Sequence, residues 1–143
     1  MRKIKFRVWD KKANKMHYSN KFMIKADGTL LYNKKAVECG DEYYNEIKYL
    51  NENRYEIMQY IGLNDKNGKE IYEEDILIDC EGEKWFVFYD NTCGWYRLKS
   101  CYNDEVIEDI PDNLTSDNKL DMKIIGNKYE NPELLKGDKN ERD

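Results

Sequence analysis

Hydrophobic residues along this chain recur mostly at period two, which predicts strands rather than helices. The start, Lys3-Ile4-Lys5-Phe6-Arg7-Val8-Trp9, alternates without a break. Ile4, Phe6 and Val8 fall on one side and Lys3, Lys5 and Arg7 on the other, as in a half-buried strand with a basic outer face. A polar turn follows, and residues 16–19 are expected to return beside it. Residues 22–25 and 29–32 flank Ala26-Asp27-Gly28, a hairpin signal. Tyr43, Tyr44, Ile47 and Leu50 fall at helical spacing and predict a short helix over 41–50. Strand character resumes over 55–61.

The segment from Gln59 to Ile78 reads QYIGLNDKNGKEIYEEDILI. Asp65-Lys66-Asn67-Gly68 lies between apolar runs, and Asn-Gly suits the positive-φ positions of a tight hairpin. Residues 75–80 then read as a strand. Residues 84–89 (KWFVFY) are apolar on both faces, which suits a strand covered on two sides or facing a partner subunit. Residues 94–99 follow after the turn Asp90-Asn91-Thr92, and 103–121 read as an acidic, solvated loop. A short strand over 122–126 precedes Asn131-Pro132-Glu133, a helix start with Asn at the cap and Pro at the first position. Residues 137–143 are expected to fray. The fold expected is mainly β (α+β): N-terminal β-hairpins with a short helix, a C-terminal SH3-like small barrel of short strands over roughly 71–126, and a short C-terminal helix. The organisation expected is a basic β/α segment over 1–55, a β-rich domain over 56–136 and a disordered tail over 137–143.

Composition narrows the function classes. The chain is 40% hydrophobic and 37% charged with 12 tyrosines, which describes a polar, folded, soluble protein. Cys39, Cys80, Cys93 and Cys101 form no C-x-x-C pair and His17 is the one histidine, so the spacing of a zinc site is missing. Four scattered cysteines read as reduced, mostly buried thiols, and no apolar run reaches the length of a membrane span. A bacterial cytoplasmic location is expected, with no membrane partner. Charge is divided unevenly: residues 1–35 hold eleven Lys and Arg against two Asp, a net +9. The remaining thirteen basic and twenty-seven acidic residues give −14. The asymmetry suits segments or subunits that attract one another, or a basic surface for a polyanion. Arg2, Lys3, Lys5, Arg7 and Trp9 are the candidate nucleic-acid contacts, with cations for phosphates and an indole for stacking. A solvated edge strand whose lysines block unwanted pairing is the structural alternative.

Chemistry at the central segment fails two checks. An EF-hand with Gly68 sixth would place Asp65 third, Asn67 fifth and Glu74 twelfth, but Leu63 first, where an oxygen ligand is required. An acid/base pair among Glu70, Glu73, Glu74 and Asp75 would need one carboxyl in an apolar pocket, which the run itself does not supply. With no P-loop, dinucleotide or nucleophile motif, a non-enzymatic protein without metal or cofactor is expected. A cryptic hydrolase using this acidic cluster is the remaining catalytic reading.

Three blocks, MRKIKFRVWDKKANKM, QYIGLNDKNGKEIYEEDIL and IIGNKYENPELL, resemble the YopX family of phage and prophage proteins in content and order. Asp65, Asn67, Gly68, Ile71, Tyr72 and Asp75 carry the central motif. The resemblance implies a small phage-encoded accessory protein, β-rich toward its C-terminus and self-associating as a homo-oligomer. Catalytic residues are not part of what it implies, so a macromolecular partner, a protein first and nucleic acid second, is the function expected. Glu74 departs from the family, which often has glycine in the Y-E-G-D step. A left-handed backbone there would strain a glutamate.

Overall fold

The computed structural model describes residues 3–18, 22–35, 45–49, 53–111 and 118–136. Among them no helix is long and apolar enough to cross a membrane. The chain divides into two compact units: Arg7–Ile57, and Met1–Phe6 together with Met58–Asp143. Among the described residues, the regular structure of both is almost wholly antiparallel strand.

In the unit Arg7–Ile57, β1 (Phe6–Asp10) pairs with β2 (Lys15–His17), and β3 (Phe22–Ile24) pairs with β4 (Leu30–Lys35). The Ala26-Asp27-Gly28 hairpin forms as the sequence predicts, with Gly28 at φ 87° and its amide on the Lys25 carbonyl. The expected helix over 41–50 does not form where the chain is described: Asn45–Tyr49 is a strand, β5, paired with β4. Residues 41–44 and 50 lie outside the described residues. Ile47 and Tyr49 also alternate, and in so short a run pairing with β4 overrides the helical spacing.

The basic outer face of the first strand is also corrected. Ile4 and Phe6 are 59% and 40% exposed, whereas Arg7, Val8, Trp9 and Asp10 are all buried. From Arg7 onward the strand is covered on both faces, so period-two exposure cannot survive there. Asp10 takes a bidentate grip from Arg54, at 2.8 and 2.7 Å, and two amides of the following turn. That guanidinium holds the Asp10 carboxyl far below the usual carboxylate range.

In the other unit, β6 (Tyr55–Asn64, its first residues shared with Arg7–Ile57) meets β7 (Glu70–Tyr72) across the 65–68 turn. A five-stranded sheet follows in the order β11-β10-β9-β8-β12: Ile107–Asp109, Trp95–Ser100, Lys84–Asp90, Asp75–Ile78 and Lys123–Asn127. β11 and β12 are its edges in this order, which does not show the closure of the expected SH3-like barrel. The acidic 103–121 segment is not only loop: it supplies β11, and Leu120 is buried at 3% exposure. Residues 112–117 lie outside the described residues. Ile71, Leu77, Trp85, Val87, Leu98 and Leu120 form one apolar cluster on one face of the sheet. Burying six large side chains at roughly 1.5–3 kcal/mol each is the main term holding this unit together. The predicted helix at Pro132 is a single 3-10 segment, Pro132–Lys136, and the expected frayed tail 137–143 lies outside the described residues.

One turn design recurs. At Asp65-Lys66-Asn67-Gly68 and again at Asp79-Cys80-Glu81-Gly82, the glycine amide bonds the aspartate carbonyl and the next residue closes back on the aspartate. The aspartate Oδ1 accepts two more turn amides each time. Gly68 and Gly82 are left-handed, at φ 85° and 86°. Asn67 is not left-handed, so the turn needs one positive-φ residue rather than the two expected.

Candidate docking surface

The central motif is a structural clamp. Asp65 is 2% exposed, and besides the turn amides of Asn67 and Lys69 its carboxylate accepts the Ile124 amide at 3.1 Å. It thereby ties the β6–β7 turn to the first residues of β12. Asp75 is equally buried and accepts the Tyr72 amide at 2.8 Å, and Glu73 accepts the Gln59 amide at 2.9 Å. Carboxylates bonded to backbone amides in this way are placed to fix a turn. Among the described residues, no group of three or more His, Cys, Asp or Glu could hold a metal ion.

Glu74 occupies the φ > 0 position its family departure foreshadows, with φ 69°. Its amide bonds the Val87 carbonyl at 2.7 Å and its carbonyl accepts the Lys128 amide at 3.0 Å, so the backbone is pinned from both sides. Oε1 lies 3.9 Å from Lys128 Nζ, while Oε2 is buried without a hydrogen-bond partner among the described residues.

The candidate polyanion contacts do not form one exposed face. Arg2 lies outside the described residues, Arg7 and Trp9 are buried, and Lys5 Nζ is 2.8 Å from Glu70 Oε2. Lys3 remains exposed. His17 packs against Phe22, with ring centroids 5.2 Å apart. Of the thiols, Cys80 is exposed, Cys93 half-buried and Cys101 buried, so burial is the exception among the described cysteines; Cys39 lies outside them. Burial pushes the Cys101 thiol up to about 11.

The surface that stands out is the tip of the β9–β10 hairpin. Asp90 accepts the Thr92 hydroxyl at 2.6 Å, the Thr92 amide at 2.9 Å and Arg97 Nη1 at 3.0 Å. These bonds, Thr92 first, hold its carboxyl down at about 2. Gly94 (φ 75°) lets the chain reverse. On this rigid turn Tyr89 and Tyr96 meet edge to face at 5.4 Å, and Trp95 stands 59% exposed. With Gln59, Tyr60, Ile61 and Gly94 they border an open concavity of about 340 Å³. Sequence reading singles out KWFVFY as doubly apolar but not this tip; aromatics on both sides of Asp90–Gly94 are the signal that marks it.

Comparison with known proteins places these features in a family. The family model described as YopX protein matches residues 5–136. The chain belongs to the YopX family. A solved structure, the crystal structure of protein EF1440 from Enterococcus faecalis, is 26% identical, with a TM-score of 0.60. The match covers 94% of this chain and 99% of that one. No curated protein matches it. In this YopX protein the motif residues Asp65, Gly68 and Asp75 shape the turns, and Glu74 sits on a left-handed backbone.

Proposed function

We propose that this YopX protein is a phage or prophage accessory protein that works without catalysis, by holding a partner protein in the cytoplasm of the bacterial host. The observation that carries the reading is the exposed aromatic tip: Trp95 and Tyr89 are 59% and 44% exposed beside a concavity. Rigid aromatics of this kind bring large contact area at low entropic cost, and they anchor protein interfaces. The assignment of Glu73 and Asp75 to backbone amides speaks against the acidic-cluster hydrolase.

The test is capture from infected host lysate with the tagged protein and with Tyr89→Ala, each with and without nuclease. A partner held by the wild type after nuclease, and lost with Tyr89→Ala, supports the reading. Capture that vanishes with nuclease, or that Tyr89→Ala leaves intact, refutes it. Light scattering on the same proteins separates a foreign partner from a second copy of the chain.

A further inference from the structure

The face of the five-stranded sheet opposite the core carries a second pattern. Strand register puts directly opposed residues on one face, so Phe86 and Phe88 of β9 share a face with Lys99 and Arg97 of β10. Trp95 continues that row along β10. The same register adds Lys84 and Lys123, through Ile78, and Asp109, through Arg97. This face therefore holds the cations Lys84, Arg97, Lys99 and Lys123 against two carboxylates, Asp90 and Asp109, in a protein whose net charge is −5. Both carboxylates are bound to Arg97, at 3.0 and 2.9 Å, which fixes the guanidinium while its Nη2 keeps no partner among the described residues. Lys99 Nζ lies 4.7 Å from the centre of the Phe88 ring. Trp95, Arg97 and Lys99 thus repeat at about 7 Å along one strand, an exposed stacking surface followed by two cations.

We propose that this face, on Trp95, Arg97 and Lys99, binds single-stranded nucleic acid. Unpaired bases offer π-faces that an exposed indole can stack on, and the phosphates between them answer the cations alongside. A duplex hides those base faces, and a broad sheet face does not enter its grooves, so the single strand is favoured. The acidity of the whole chain repels a polyanion at long range, so binding is confined to this face and is strongly salt-dependent. The proposal shares Trp95 with the docking reading above but does not rest on it: Arg97 and Lys99 lie outside the concavity, and Tyr89 and Tyr96 are on the opposite face.

Fluorescence anisotropy with a labelled oligothymidine of about 20 nucleotides, in about 20 mM NaCl, tests it. The expected result is binding that Trp95→Ala weakens about tenfold or more, from the loss of one stacked base. Lys99→Glu also weakens it and lowers the slope of log K against log salt by about one. Tyr89→Ala leaves it unchanged, which separates this site from the concavity. Absence of binding at that salt would overturn the proposal. So would wild-type affinity in Trp95→Ala, which would place the binding away from this face, or equal competition by polyglutamate, which would give the face to an acidic protein instead.

Discussion

Replacing Glu74 with glycine should make this protein more stable, although it deletes a charged side chain and adds backbone freedom. A non-glycine residue held at φ 69° costs roughly 1–2 kcal/mol, because Cβ crowds the following carbonyl. Glycine removes that cost. It also removes Oε2, buried without a partner among the described residues, where an unsatisfied polar group costs roughly 1–3 kcal/mol. That second gain lies at the low end, because the side chain as a whole is 26% exposed. Two losses oppose these gains. The pair with Lys128, at 3.9 Å and half open to water, is worth below about 1 kcal/mol. The greater freedom of glycine in the unfolded chain costs about 0.5–1 kcal/mol. The balance is about 1 kcal/mol in favour of glycine, or a rise in Tm of about 3–5 °C at this chain length. Calorimetry on the wild type, Glu74→Gly and Glu74→Ala separates the contributions, since alanine deletes the carboxylate but keeps the strain. Glu74→Gly should melt highest of the three. If it melts at or below Glu74→Ala, the backbone is not strained at this position and the argument fails.

Two further perturbations probe the turns. Asp65→Ala strands the amides of Asn67, Lys69 and Ile124 beside a site that is 2% exposed, and should cost about 3 kcal/mol in urea unfolding. A loss under about 1 kcal/mol would show that the β6–β7 turn and β12 hold without this clamp. Asp90 titrates at about 2 in the folded protein, below its unfolded value of roughly 3.9. Its stabilisation is therefore complete above about pH 4 and fades as the pH falls toward 2. Carboxyl NMR should place its midpoint near the folded value, and Thr92→Ala, which deletes the largest cause, should move it upward; an unmoved midpoint would contradict the assignment.

How much of this was legible beforehand depends on how local each interaction is. Asp65 and Gly68, Asp79 and Gly82, and Lys25 and Gly28 close their turns with bonds between near neighbours, so a few consecutive residues specify the whole device. Strand character over 55–61, 75–80 and 84–89 could be read for the same reason, within a few residues of the strands observed, and the left-handed risk at Glu74 was read from the family resemblance. The fate of Arg7 could not, because its neighbours predict a surface cation and only a covering on both sides of the strand buries it. Residues 45–49 lie in a segment with both a helical and a strand spacing, and the choice was made by β4, whose paired residues are ten to eighteen positions away in sequence. The sheet face that gathers Phe88, Trp95, Arg97 and Lys99 likewise exists only through register. Sequence alone determined where the chain turns and which segments extend, because those are settled by backbone geometry and short-range hydrogen bonds. Tertiary structure decided which side of each strand meets water, because burial is set by whatever distant segment arrives to cover it.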